Sequence, residues 1–584
     1  MLKALQRRHD EPSHSRAAMS AMLARALLLL LAAAARSKSS KKHRDTPTKK
    51  LNVLWLLVDD FRPQANFYGQ GDTSTPRLDA FAATARVFDR AYCQLSVCAP
   101  SRNSFFTGRR PDSLRVYNFV DHFRSTSPEA VPLPEYFKNH GYVTLGAGKT
   151  YQPGKPPAYD VGRSWSGELP YLPLMKNLTR CSRKNAKSGR FLDVCPEDFG
   201  EEAFMDRRTA DYAVEAMRVA RKVEKPFFVV AGFYRPHLRW HVPRAFYDRY
   251  SGTLGTPVRS RSKPHAMPDI AWANEGCHTM TTEAHGTVAV SMDRPLKRSM
   301  VAELRKGYLA CASWIDELAG RVLDAADAVP SAKADTVVLL SSDHGFHLGE
   351  QASWTKHTLF EIGSRVPLVV RAPGVAPGRS SALVELTDVY RTFADLAGLP
   401  APARDVQGKS LGPLLRSGAP HRNFSVTQYP RCPRDYRKQW DANCKRLTAA
   451  EIPVMGYTLR VDHFRFTEWY YWVAAPATRA NERFDPPEKV VDKKRKPLAT
   501  ELYALDDARI NDFDGLELAN VAGDPRAACA VAALRAALAI FLECQHDEAG
   551  CDDRVGAAAY RGSTCVDAAT RADLRRRPDD GAAF

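Results

Sequence analysis

Four apolar runs that each break off into charge limit how this chain can fold. Asn52-Val-Leu-Trp-Leu-Leu-Val58 ends in Asp59-Asp60, and Tyr142-Val-Thr-Leu145 leads into Gly146-Ala-Gly-Lys149. Phe227-Phe-Val-Val-Ala231 passes through Gly232 to Pro236-His237, and Thr336-Val-Val-Leu-Leu340 enters Ser341-Ser-Asp343-His344-Gly345. A short run that is apolar without alternation is a strand buried on both faces. Helical patterns over Ala203–Val223 and Met300–Ala328 lie among these runs, and strands alternating with helices predict an α/β domain. Such sheets bind ligands beyond the carboxyl ends of their strands. Each run delivers an acid, a cation or a histidine at that end. One charged strand end is only a chain reaching water, but four of them form a constellation.

A fifth segment adds sulfur. Cys98-Ala-Pro-Ser-Arg102 is followed by Asn103-Ser-Phe-Phe-Thr107 and Gly108. Ser101 reads as the N-cap of a helix over Arg102–Thr107, with Cys98 on the loop ahead of it, where free N–H groups and the positive dipole end favour anions. Arg102 adds a fixed cation. The plainer reading pairs Cys98 with Cys93 as a structural bridge. Asp59, Asp60, Asp343 and His344 are an oxygen-rich ligand set, better matched to Ca²⁺ or Mg²⁺ than to zinc; Asp59-Asp60 alone also reads as a polar strand end.

The 584 residues are 44% hydrophobic and carry a net charge of +18, enough for a large principal domain and a smaller one. Residues 1–50 hold 12 Lys/Arg against 3 Asp/Glu, so half of that charge lies ahead of the first strand. Residues 26–35 form an apolar run too short to span a bilayer. They suit the core of a signal peptide over 1–35, with Met19 as the ordinary start and an uncleaved anchor as the alternative. A basic linker over 36–50 follows. The remaining charge suits an acidic substrate, and no nucleic-acid-binding module is visible. Twelve cysteines behind such a leader predict disulfides: Cys181 with Cys195, Cys432 with Cys444, and pairings among Cys529, Cys544, Cys551 and Cys565. Asn177-Leu-Thr179 and Asn423-Phe-Ser425 are glycosylation sequons. Alternating patterns from Met455 to Trp472, with Glu501-Leu-Tyr503, predict a smaller α+β subdomain over 451–525. It follows a catalytic domain over 51–450 and precedes a helical, cysteine-bearing tail over 526–584.

The run C-x-P-S-R-x-x-x-x-T-G resembles the signature of the formylglycine-dependent sulfatases. Val53–Pro63, Gly148-Lys149, Pro236-His237, Ser342–Gly345 and Lys356 appear in the order of that family. Asp59-Asp-Phe-Arg-Pro63, Thr107–Asp112 and Met455-Gly-Tyr457 resemble its iduronate-2-sulfatase branch. The resemblance spans roughly 50–520. It implies an alkaline-phosphatase-like mixed sheet flanked by helices, a bound Ca²⁺, and hydrolysis of sulfate esters on glycosaminoglycan-type sugars by a protein lodged in the lysosome or secreted, with no stable membrane span. By the same resemblance a formylglycine-generating enzyme converts Cys98, which joins Asp59, Asp60, Asp343 and His344 around the metal. Arg102 and Lys149 hold the aldehyde hydrate and sulfate, Lys356 binds a sulfate oxygen, His237 faces the leaving group, and Arg62 lies on the substrate side.

The chain departs from that branch at Gln152, where the family pattern has a histidine that assists the second half-reaction. Glutamine can hydrogen-bond sulfate but is no base, which leaves His140 or His347 as substitutes, or slow sulfate release. His347 and His357 otherwise read as solvated loop histidines. Two alternatives stand beside sulfate-ester hydrolysis: a phosphate or phosphonate ester hydrolase of the same superfamily, and a sulfated-glycan-binding protein with impaired turnover.

Overall fold

The computed structural model describes residues 50–576 apart from 167–169, 176–177, 179–180, 224, 251–253, 258, 273–278, 329–331, 433–443, 445–446, 476–488 and 545–549. The expected leader, most of the basic linker, the Asn177 sequon and Cys277 lie outside the described residues.

The main sheet has eight strands: β1 (Asn52–Val58), β2 (Arg86–Tyr92), β3 (Val143–Gly148), β4 (Leu172–Pro173), β5 (Phe227–Phe233), β6 (Thr336–Ser342), β7 (Arg365–Arg371) and β8 (Gly378–Glu385). Their order is β8-β2-β7-β6-β1-β5-β3-β4. β7 pairs antiparallel with both neighbours and the other pairings are parallel, so the sheet is mixed, as expected. The four apolar runs lie side by side as β6, β1, β5 and β3. Leu54, Leu56 and Val58 of β1 face one core with Tyr212, Leu304 and Leu318. Val53, Trp55 and Leu57 face the other, with Phe105, Phe106 and Phe393. Both faces are dry, hence the run without alternation.

The helices that matter to the site are α1 (Cys98–Thr107), α2 (Met205–Lys222) and α3 (Arg298–Asp327). Along α2, Met205, Thr209, Tyr212, Ala213, Ala216, Met217 and Ala220 are buried, a stripe at the i, i+3, i+4 spacing of a helix laid on a sheet.

A second, antiparallel sheet joins β9 (Phe424–Arg431), β10 (Val454–Val461), β11 (Phe464–Ala474), β12 (Lys489–Val491) and β13 (Ala499–Ala504). Its first strand precedes the boundary expected at 451. The tail folds over it as α4 (Ala528–Cys544), α5 (Cys551–Thr564) and α6 (Ala568–Leu574). Pro525–Cys544 is long and apolar enough to cross a membrane by length and composition, yet Leu534, Leu538 and Phe541 pack with Phe424, Leu459 and Val555 in the small sheet's core.

Cys181–Cys195 and Cys432–Cys444 are bonded as expected, and the tail pairs Cys529–Cys565 and Cys544–Cys551. Cys93, Cys98 and Cys311 are free thiols, which removes the Cys93–Cys98 bridge. The side chain of Asn423, in the second sequon, donates through Nδ2 to the carbonyl of Gly556 on α5 at 3.0 Å.

Candidate active site

Register fixes where the site forms. Val58 is level with Ser342 on one side and Phe233 on the other, and Gly148 is level with Gly232. The residues that follow these strands therefore emerge at one edge of the sheet. Gly148 has φ +69°, and a Cβ there would lie 2.1 Å from the carbonyl of Gly232. Only glycine allows this approach, and it brings Lys149 over the end of β1.

Cys98 is the first residue of α1, with Val97 in the extended N-cap position. This corrects the expected helix start. The Ser101 hydroxyl lies inside the helix and donates to the carbonyl of Asp343, so α1 is stitched to the end of β6 instead of being capped by its own serine.

The expected metal ligands and cations converge. Cys98 Sγ lies 3.2 Å from His344 Nε2 and 3.6 Å from Asp59 Oδ1. Asp59, Cys98, Asp343 and His344 each offer a ligand atom within 4.8 Å of the others, and so do Asp59, Asp60, Cys98 and His237. Arg102 donates to Asp343 Oδ2 at 2.9 Å and to Asp59 Oδ1 at 3.2 Å, and its remaining reach ends on the carbonyls of Lys149 and Thr150. Lys149 pairs with Asp59 and Lys356 with Asp60. Three carboxylates thus face three cations in a buried space.

Asp60 has φ +58°, a costly conformation for a residue with a side chain. Three long-range contacts hold its turn: Asp60 N–H donates to Asp343 Oδ1 at 3.2 Å, Phe61 N–H to Ser342 Oγ at 2.9 Å, and Tyr308 Oη–H to the Asp60 carbonyl at 2.9 Å.

The carboxylates differ in proton affinity. Burial opposes ionisation of Asp59, yet Lys149, with His237, Arg102 and Lys356, holds it well below the usual carboxylate range. Burial pushes Asp60 up to about 7, with Lys356 pulling it down and Asp59 and Asp343 adding to the rise. The Cys98 thiol is pushed up to about 12 by burial and by Asp59. Burial also takes His344 down to about 4 and His237 well below its ordinary value.

His237 is the member of the cluster with a real opening to solvent, at 25% side-chain exposure. Its Nδ1 is within 2.6 Å of the Leu238 carbonyl, its ring stacks on Tyr234 at 4.7 Å, and its Nε2 points inward, 3.9 Å from Asp60 Oδ2. Lys356 sits between Thr355 at φ +73° and His357 at φ +81°.

The remaining expected residues fall elsewhere. Arg62 is fully buried, bound to Gln64 and, at 2.9 Å, to Glu350, beneath the ring of Phe513, with one guanidinium nitrogen left without a partner. Gln152 is half-buried, with Oε1 enclosed and unpartnered. His140 precedes β3 and bonds the Tyr136 carbonyl. It is therefore a strand length, about 20 Å, from the site edge and cannot replace the absent histidine. His347 is buried against Thr358 at 2.8 Å, and His357 is buried against Tyr429 Oη at 2.9 Å, so neither is the solvated histidine expected.

A profile of the sulfatase family matches residues 51–399. The chain is 31% identical over 480 residues to the iduronate 2-sulfatase of Mus musculus, covering 73% of this chain and 86% of that one. To the iduronate 2-sulfatase of Homo sapiens it is 30% identical over 485 residues, with 74% and 87% covered. Among solved structures, a phosphonate monoester hydrolase from Silicibacter pomeroyi superposes with a TM-score of 0.61 at 21% identity, covering 85% of this chain and 96% of that one. A 2-O GAG sulfatase superposes at 0.58 with 19% identity, covering 85% and 92%. With two thirds or more of the chain matched at 30% identity and the family profile running from β1 past β8, this chain belongs to the sulfatase family of sulfuric ester hydrolases.

Proposed function

We propose that this sulfatase removes sulfate from glycosaminoglycan-type sugars, that Cys98 acts as formylglycine, and that Asp59, Asp60, Asp343, His344 and residue 98 hold a divalent cation, most naturally Ca²⁺. The observation that carries the reading is Cys98 at the first position of α1, buried among three carboxylates and three cations. The donor set fits the cation: oxygen-rich, buried, and crowded enough to drive Asp60 up to about 7. When bound, the cation supplies charge that polarises a sulfate oxygen.

The chain's own residues account for the rest. Arg102, Lys149 and Lys356 are directed at the carboxylates and form a cage of positive charge around residue 98. Such preorganised charge is worth most where water is excluded. His237, held by the Leu238 carbonyl with Nε2 toward the cluster, is placed to exchange a proton with the departing alcohol. Gln152 supplies amide hydrogen bonding and no base. The substrate class is supported by the names of the relatives, iduronate 2-sulfatases and a 2-O GAG sulfatase. Four disulfides support a route through the secretory pathway, to the lysosome or outside the cell.

The test is co-expression with a formylglycine-generating enzyme, followed by the mass of the peptide that contains residue 98. An aldehyde mass is expected there, together with hydrolysis of a sulfate ester in preference to the matched phosphate ester. Cys98→Ala should lose at least about 10⁴-fold in kcat. Full activity from a preparation carrying only the thiol would overturn the reading.

A further inference from the structure

Outside the reaction centre, a cationic hairpin is reached from His237 by a short ladder of contacts. Arg239 is two residues from His237, a span of at most about 7 Å along the backbone. Its guanidinium lies 5.1 Å from the ring of Phe191. On the same ring the ammonium of Lys184 lies at 4.9 Å. Phe191 is 40% exposed, so the two cations that its ring holds lie at the surface.

The hairpin is built, not loose. The Cys181–Cys195 disulfide closes its base, and Lys184 bridges Phe191 across its stem. Buried Asn185 organises the tip: its Oδ1 accepts from the N–H groups of Lys187 and Ser188, each at 3.0 Å, and its Nδ2 donates to the Thr282 carbonyl at 3.0 Å. At the far end, strand Val194–Glu197 pairs with Trp240–Pro243, so hairpin and His237 loop are fastened together. Arg239 is held by Asp193 at 3.2 Å and Arg183 by Glu283 at 2.6 Å. Lys184, Lys187 and Arg190 are exposed and make no ion pair with the described residues. Three exposed cations on a rigid loop, linked to the His237 loop through Phe191, Arg239 and the strand pair, form a surface for anions.

We propose that this hairpin binds the sulfated or carboxylated sugars that flank the ester being cleaved, so that the enzyme works on a polyanionic glycan chain and not only on an isolated sugar sulfate. The proposal rests on the reading of the reaction given above and names where the rest of the substrate lies. Phe191 spaces Lys184 and Arg239 through cation–π contacts and presents them as a pair, while Lys187 and Arg190 extend the positive surface along the chain. Exposed charges of this kind act over about a Debye length and raise the local concentration of an anionic substrate.

The experiment compares the triple variant Lys184→Ala/Lys187→Ala/Arg190→Ala with the parent enzyme. Two substrates are used, a small aryl sulfate and heparin oligosaccharides, and binding of fluorescent heparin is measured separately on chelated protein. The expected result is a rise of about tenfold in KM for the oligosaccharide, with kcat/KM for the aryl sulfate within twofold. The parent's heparin affinity should fall steeply with added salt and the variant's much less. The charge-preserving set Lys184→Arg/Lys187→Arg/Arg190→Lys should behave as the parent. Equal heparin affinity in the parent and the alanine variant would overturn the surface, and so would equal loss on both substrates. Failure of the parent on every sulfate ester, with heparin binding and its loss intact, would break the reaction assignment and leave the surface standing.

Discussion

Two clusters of buried charge in this protein use the same residue types to opposite ends. At the junction of the main sheet with the tail, Asp388 accepts from Arg422 at 2.7 Å, from His421 at 3.1 Å, and from the backbone N–H groups of Glu385 and Lys409 at 2.9 and 2.8 Å. Glu385 takes Arg422, Arg110 and the Val426 N–H, and Arg422 goes on to Asp552 of α5. Burial disfavours the charge on Asp388, but Arg422 and His421 hold it well below the usual carboxylate range. At the site edge the carboxylates are packed against one another, with Asp60 pushed up to about 7 by burial, Asp59 and Asp343 despite Lys356. The first cluster is closed because every charge has its partner within the chain. The second has its negative oxygens, a sulfur and an imidazole converging on one point, an arrangement an added cation would relieve. A buried ion pair is cement when saturated and a binding site when crowded.

The comparison breaks most sharply under chelation. A divalent ion bound at about 100- to 1,000-fold above its Kd contributes roughly 3–4 kcal/mol to the folded state. Removing it should lower the melting temperature and abolish turnover. Asp343→Asn should lose at least about 10²-fold in kcat and show little further change on chelation. Asp388→Asn should do the reverse: it leaves Arg422 poorly compensated, costs about 3–5 kcal/mol of stability, and keeps both the chelation shift and the activity of the molecules that remain folded. Chelation that moves neither melting nor rate, or an Asp388→Asn protein as stable as the parent, would erase the distinction.

What the sequence announced and what it hid follow from range. β1, β3, β5 and β6 were legible because a strand dry on both faces must be apolar at every position, and their charged ends were legible because those residues directly follow the strands. The start of α1 was not. Ser101 has the chemistry of a cap, but its hydroxyl is taken by the Asp343 carbonyl, 242 positions away. Nothing near Arg62 in the sequence announces its pairing with Glu350 beneath Phe513. Asn423 lies in a sequon, and the sequence does not show that its amide also reaches the Gly556 carbonyl on α5. In each case the local pattern was correct chemistry, and a distant partner decided its use. The strand at Phe424–Arg431 was obscured in the same way: it follows a stretch rich in proline and arginine and is identified by pairing with β10.

One distant partner crosses between the two regions. Tyr429 of β9 bonds His357, the neighbour of Lys356, and Arg431 lies over the Tyr429 ring at 4.4 Å. The small sheet thereby braces the strained turn that presents Lys356. Tyr429→Phe removes that hydrogen bond, worth about 1 kcal/mol net, and should cut kcat/KM by about five- to tenfold with little loss of melting temperature. Tyr429→Phe with unchanged kinetics would show that the Lys356 turn holds itself.

The last effect belongs to the closed side of the comparison and leaves chemistry untouched. Asp507 binds Arg460 and Arg90, the latter at 3.1 Å, and accepts from the His463 N–H at 2.9 Å. Burial works against its charge, but Arg460 and Arg90 outweigh it and bring the group down to about 2. A carboxylate whose folded value lies below its unfolded value, about 3.9, stabilises the protein above the unfolded value. That contribution disappears as pH falls through the folded one. The difference corresponds to about 2.6 kcal/mol, fully present at pH 6 and mostly gone near pH 2. Asp507→Asn keeps the shape and removes the titration, so the stability gap between parent and variant should be widest at pH 6 and shrink as the pH is lowered from 4 toward 2. Taking the difference between the two proteins cancels every carboxylate they share, including those of the candidate metal site. A gap that stays constant over that range would mean that Asp507 carries no depressed charge and that the junction is held by packing alone.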